Sequence, residues 1–168
     1  MIMEKAIISI IMGSDSDLAV MNEAKKILDK FGASNEINIL SAHRSPEEVR
    51  KFSRTARTRG VRVIIAGAGG AAHLAGVVAS HTTLPVIGVP METNELKGID
   101  SLFSTVQMPS GVPVATVTIG KTGAKNAAIL ALEILSINDR RIAKSLENFK
   151  KELAESVKEK NRDINKGL

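Results

Sequence analysis

Cysteine, tryptophan and tyrosine are absent from this 168-residue chain, and phenylalanine occurs only four times. Without cysteine there can be no disulfide, no thiolate metal ligand and no thiol nucleophile. With so few aromatic rings, a platform for stacking nucleic-acid bases is poorly supplied. No apolar run reaches the length of a membrane span, and no G-x-S-x-G elbow is present. The three histidines, His43, His73 and His81, lack close metal-ligand spacing and have no convincingly placed carboxylate beside them. The expectations are therefore no metal, no nucleic acid and no membrane. The opening Met1-Ile2-Met3-Glu4-Lys5 runs straight into a strand-like segment, so no leader peptide is expected and the expected setting is the cytoplasm.

What is present suits one domain with a sizeable core: 43% of the residues are hydrophobic. The net charge is +5, and residues 140–168 hold nine Lys/Arg against five Asp/Glu. Those charges are interspersed, as on a solvated helix face, and are not blocked into a basic arm. A phosphorylated small molecule accounts for such a modest positive balance.

Along the chain, buried strands are expected at Ala6–Met12, Ile37–Leu40, from Val63, at Pro85–Val89 (closed by Pro90) and at Val114–Ile119. Between them fall helical patterns. The first carries Leu18, Met21, Ala24, Leu28 and Phe31 on one stripe. The second starts at Ser45-Pro46-Glu47-Glu48, a capping box with proline at the first helical position. A short helix is expected near His73–Ser80, another from Gly98-Ile99-Asp100-Ser101, and an alanine-rich one over about Ala124–Ser136. A last amphipathic helix follows Asn138-Asp139, with Ile142, Leu146, Phe149, Leu153 and Val157 on its apolar stripe. Alternating strands and helices argue a doubly wound parallel sheet. The last helix could lie on its own domain or pack on a neighbouring subunit.

Three loops at strand carboxyl ends carry the chemistry, since ligands of open α/β sheets bind there. Gly13-Ser14-Asp15-Ser16-Asp17 has more serines and aspartates than a helix cap needs. Aspartate repels phosphate, so a sugar hydroxyl is its better partner. Ser41-Ala42-His43-Arg44 groups a hydroxyl, an imidazole suited to proton transfer, and a cation that can clamp an anion bidentately. Ala66-Gly67-Ala68-Gly69-Gly70-Ala71-Ala72-His73-Leu74 leaves almost bare backbone, which admits a small flat or anionic group as the floor of a site. Each loop also has a plain structural reading: capping, a solvated surface pair, and a tight strand-to-helix turn. His81 reads as a packing or surface residue.

The third loop formally fits the dinucleotide pattern G-x-G-x-x-A, with Glu92 near the distance of a ribose-binding acid. Glu92 follows Pro90, however, where the chain is expected to leave the sheet, and the pattern usually sits on the first strand of its unit. Gly120-Lys121-Thr122 resembles the end of a Walker A loop, but Ala115 stands where that loop needs glycine. A nucleotide- or phosphate-sensing module would need the serine, aspartate and arginine contacts but not His43.

Taken together, these loops resemble the PurE family of purine biosynthesis. The resemblance is carried by Met12–Asp17, Ser41–Pro46 and Ala66–Leu74, with Gly88-Val89-Pro90, Gly98–Leu102 and Gln107–Pro113 in support, over about residues 6–136. It implies a flavodoxin-like three-layer α/β/α sandwich with a parallel sheet and an extra C-terminal helix. The whole chain, 1–168, would be one PurE-like domain, with a core of about 6–136 and a helical extension of about 139–165. The resemblance further implies a homo-octamer that moves a carboxylate from N5-carboxyaminoimidazole ribonucleotide to ring carbon C4, with no ATP, metal or organic cofactor. A second branch of the family carboxylates aminoimidazole ribonucleotide directly. Its members typically read S-A-H-K and A-G-R-S-N where this chain has Ser41-Ala42-His43-Arg44 and Ala66–Gly70, so the mutase branch is the one resembled. On this reading His43 is the general acid and base, assisted by His73. Ser14, Asp17, Ser41 and Arg44 hold ribose and phosphate, and Ala68, Gly69, Gly70 and Leu74 line the pocket for the base and the migrating CO2.

Overall fold

The computed structural model describes residues 7–166; the expected strand start at Ala6 and the N-terminal segment before it lie outside these residues. By internal contacts the chain divides into two compact units, Met1–Ala131 and Leu132–Leu168.

The first unit is built on a parallel sheet. Its strands are β1 (Ile8–Met12), β2 (Asn35–Ile39), β3 (Val63–Ala68), β4 (Val86–Pro90) and β5 (Ala115–Thr116), in the order β2-β1-β3-β4-β5. That is the flavodoxin-like doubly wound order. The helices are α1 (Leu18–Lys30), α2 (Pro46–Arg59), α3 (Leu74–His81), α4 (Ile99–Val106) and the start of α5 (Gly120–Ser136). β1 is flanked by β2 and β3, in registers that set Met12 beside Ile39 and Gly67. All five β1 residues are buried, as expected of a strand covered on both faces. Side chains alternate between the faces. Ile11, Ile64, Ala66 and Val86 pack with Val49 and Ala56 of α2 and with Leu74, Ala75 and Val78 of α3. The connections from β1 to β2 and from β2 to β3 run in opposite directions along the sheet. Right-handed crossovers therefore put α1 on one face and α2 on the other.

Four expectations need correction. β5 pairs only over Ala115–Thr116, not over Val114–Ile119. Pro90 does not close the fourth strand from outside; it is the last residue of β4, opposite Ala68, and the Met91 amide donates to the Ala68 carbonyl at 2.9 Å. A proline is tolerated at such an end because the next amide continues the bonding. Gly120-Lys121-Thr122-Gly123 forms the first turn of α5, which therefore begins ahead of the expected Ala124. Ser45 precedes α2 but makes no side-chain capping bond to it. Its hydroxyl turns back instead, donating to the Ser41 carbonyl at 3.1 Å and accepting from the Ser41 amide at 3.2 Å. The strand-to-helix loop is stapled by the residue expected to cap the helix.

The second unit holds the end of α5 and all of α6 (Arg140–Lys166). Asp139 starts α6 by accepting the amides of Arg141 and Ile142 at 2.8 and 3.4 Å. Beyond Lys150 every described residue of α6 is exposed, including Leu153, Val157 and Ile164. Among the described residues, no helix is long and apolar enough to cross a membrane.

Candidate active site

Parallel pairing of β1, β2, β3 and β4 brings their carboxyl ends to one edge of the sheet, and four chain segments leaving that edge enclose a cavity of about 450 Å³. Ser14 and Asp17 come from the turn after β1, Ser41, His43 and Arg44 from the loop after β2, and Ala68, Gly69 and Leu74 from the stretch between the end of β3 and the start of α3. Met91 and Glu92 directly follow β4.

The first turn makes less use of its side chains than an ordinary helix start. Residues 15–17 form one 3-10 turn, whose Ser16 amide donates to Ser14 Oγ at 3.4 Å. Asp17, at the start of α1, makes no capping bond with its side chain. Burial raises its carboxyl pKa; the Ser16 hydroxyl, donating at 3.3 Å, opposes that rise, and the nearby Asp15 carboxylate adds to it. The site thus holds a half-buried carboxylate aimed at no backbone donor.

Arg44 links the first two loops. Its Nη2 donates to the Gly13 carbonyl at 2.8 Å and its Nε to Ser41 Oγ at 3.3 Å, while its backbone amide also donates to Ser41 Oγ, at 3.2 Å. No carboxylate pairs with it among the described residues, so its charge remains available to an anion.

His43 and His73 come together across thirty residues of sequence. His43 Nε2 lies 2.8 Å from His73 Nδ1, and the rings meet edge to face with centroids 4.9 Å apart. In a neutral pair one of these nitrogens carries the shared hydrogen, so the outer nitrogens present one N–H and one lone pair. His43 lines the cavity; His73, the residue before α3, reaches it through His43 and does not line it. His81, at the far end of α3, lies apart from this pair and lines a separate depression with Arg54 and Arg57.

The bare third loop is less open than its sequence suggests. Gly67 is buried, and a Cβ there would come within 2.4 Å of Met91 Cε and 2.6 Å of Met21 Sδ. Its missing side chain admits methionines, not a ligand. Gly70 does not line the cavity either, because its amide donates to Ser101 Oγ at 2.9 Å. The amides of Ala72 and His73 turn to the carbonyls of Gly70 and Ala71, both at 2.8 Å. A pyrophosphate cradle needs such amides free, which weighs against the dinucleotide pattern. Gly69 and Ala71 remain as the exposed backbone of the wall.

Glu92 and Met91 carry no site role in the sequence reading. From sequence Glu92 reads only as a dinucleotide ligand, with Pro90 against it. Since β4 continues through Pro90, Glu92 stays at the sheet edge, exposed and lining the cavity. Its place directly after a buried strand is the feature of the sequence that marks it.

A family model described as AIR carboxylase matches residues 7–156. The N5-carboxyaminoimidazole ribonucleotide mutase of Pyrococcus horikoshii is 57% identical over 157 residues, covering 94% of this chain and 88% of that protein. The mutase of Thermotoga maritima is likewise 57% identical, covering 91% and 88%, and that of Bacillus subtilis is 52% identical, covering 91% and 94%. In a crystal structure of Treponema denticola PurE the same fold recurs with a TM-score of 0.82 and 31% identity, over 90% of this chain and 94% of that one.

Proposed function

The chain belongs to the AIR carboxylase family, and from that premise we propose that it is a mutase converting N5-carboxyaminoimidazole ribonucleotide to the 4-carboxy isomer in purine biosynthesis. The observation that carries this reading is the His43–His73 pair at 2.8 Å beside a cavity with an unpaired arginine. The reaction needs an acid and then a base at one place, and such a pair offers both.

In the first step a proton moves from His43, through its nitrogen turned away from His73, to the exocyclic nitrogen of the substrate. The N–C bond breaks and CO2 is released inside the cavity. C4 of the aminoimidazole then attacks that carbon. The proton lost from C4 returns to His43, so the cycle consumes no net proton. His73 relays the charge to and from water through the shared hydrogen bond. Gly69, Ala68, Ala71 and Leu74 support retention of CO2, because small side chains and backbone leave few water-binding groups. Arg44 and Ser41 support binding of the 5′-phosphate, and Asp17, Ser14 and Glu92 that of ribose hydroxyls and the amino group.

The direct carboxylation of aminoimidazole ribonucleotide is the reading to set against this one, since the family's description names it. Arg44 and the Ala68-Gly69-Gly70 sequence favour the mutase, as does the activity named for the three relatives above. Purified protein should turn over the N5-carboxylated substrate far faster than aminoimidazole ribonucleotide with bicarbonate. A preference for the second pair would reverse the assignment.

Self-association as an octamer in the cytoplasm completes the proposal. Within the first unit, Leu96, Ile99, Phe103 and Val106 on and beside α4 are each about half exposed, which supports burial against another copy. Light scattering on the eluted protein measures the assembly; a fully active monomer would contradict it.

A further inference from the structure

Gly70 lies in the left-handed region, at φ +64°, and α4 holds it from both sides. The Gly70 amide donates to Ser101 Oγ at 2.9 Å. Ser104 Oγ donates to the Gly70 carbonyl at 3.2 Å, sharing its hydrogen with the Asp100 carbonyl at 2.8 Å. Ser101 is fully buried. The start of α4 is itself anchored, because Thr93 Oγ1 donates to Asp100 Oδ1 at 2.8 Å and accepts the Gly98 amide at 3.2 Å.

The described peptides are all trans, so each carbonyl points opposite to the amide of the same unit. The Gly70 carbonyl also accepts the Ala72 amide at 2.8 Å; held between that amide and Ser104, it turns the Ala71 amide away from α4. Holding the Gly70 amide toward Ser101 turns the Gly69 carbonyl away likewise. Both Gly69 and Ala71 line the cavity, whereas no α4 residue does. Among the described residues the Ala71 amide has no protein acceptor.

We propose that Ser101 and Ser104 are positioning residues that aim the Ala71 amide at the carboxylate during its transfer. This rests on the mutase reading. In that reaction the N–C bond breaks as nitrogen gains a proton, and the C4–C bond forms as C4 loses one. Between the two events free CO2 must stay within reach of C4. An amide directed at one of its oxygens holds it there. Once that aim is lost, CO2 escapes, and aminoimidazole ribonucleotide is released in place of the 4-carboxy product.

The test is the ratio of these two products, above the rate without enzyme, for Ser101→Ala, Ser104→Ala, Ser104→Thr and Thr105→Val. Thr105 is buried on the same helix, and its hydroxyl donates to the Ser101 carbonyl at 2.7 Å. Ser101→Ala should raise the decarboxylated share about tenfold, as loss of one oriented hydrogen bond implies; Ser104→Ala should raise it less, because the Ala72 amide still holds the Gly70 carbonyl at 2.8 Å. Ser104→Thr, which keeps the hydroxyl, and Thr105→Val should match the wild type. An unchanged ratio in both alanine variants overturns the proposal, and so does an equal rise in Thr105→Val. A second readout does not depend on turnover. In 15N-labelled full-length protein titrated with the 4-carboxy product, the Ala71 amide signal should shift, and should shift much less in Ser101→Ala. Equal shifts overturn the positioning role. A wild type that shows the Ala71 shift but forms no product would refute the mutase reading and leave the aimed amide standing.

Discussion

Two helices of this chain begin at an aspartate, and the two carboxylates are used in opposite ways. Asp139, ahead of α6, accepts two backbone amides and an arginine of its own first turn. The Arg141 side chain and those amides draw its pKa below the ordinary value. Asp17, ahead of α1, accepts no helix amide, and burial raises its pKa. The same residue type at the same kind of position thus completes the backbone in one place and is left over in the other. A carboxylate held at a cost of desolvation, with no structural bond to show for it, is a candidate for binding. The contrast locates function by what the fold does not need.

The largest test of that contrast lies with the other side chains the fold leaves over. His43→Asn should keep the fold and ligand binding but lower kcat by roughly 10³-fold. Steady-state kinetics with the N5-carboxylated substrate measures it, and a rate near wild type would remove His43 from the chemistry. Asp17→Asn should lower kcat/KM by roughly 10–100-fold, the range for a lost charged hydrogen bond, yet leave the protein no less stable. The sign follows from the raised pKa. The folded state binds this proton more tightly than the unfolded chain, so ionisation of Asp17 weakens folding above its native pKa, and the penalty disappears as pH falls through that value. The stability advantage of Asp17→Asn over wild type should therefore be present at neutral pH and shrink on acidification, as read by denaturant titration at several pH values. An advantage that grows toward acid would reverse the cause assigned to the shift.

Within the bare loop, Gly67 and Gly69 offer a second pair. Gly67→Ala should cost about 1 kcal/mol of stability, because the Met91 and Met21 tips must move. Gly69→Ala meets only Met91 Cβ at 3.3 Å among close neighbours, so it should fold nearly as well and raise KM by crowding the cavity. Thermal melts and kinetics on both variants separate the roles; equal losses of stability would merge them. Smallest of all, Asp139→Ala should fray the start of α6 in amide exchange and leave kcat/KM unchanged.

The succession of strands and helices and the placing of three loops at strand ends were legible because hydrophobic runs, caps and the parallel sheet rule are local or topological signals; the strand order itself was not. His43 and Arg44 stood out on the same grounds, by residue type at a strand end. What escaped depends on contacts distant in sequence. The methionines that fill Gly67 lie on α1 and beyond β4, and the serines that hold Gly70 lie 31 and 34 residues away from it. No pattern along the chain announces either. Ser45 departs for another reason: its capping signature is real, but a nearer donor, the Ser41 amide, occupies its oxygen.

The hydrogen bonds of Arg44 set how the site receives an anion. A guanidinium carries five N–H groups in a rigid plane. One is fixed on the Gly13 carbonyl and one on Ser41 Oγ, which leaves three directions already chosen before any ligand arrives. On the proposed reading, an incoming phosphate would meet a receptor that needs no reshaping. A lysine at this position would concentrate its three hydrogens on a single freely turning nitrogen. It could hold the two loops together or grip the anion, and would have to let go of one to do the other.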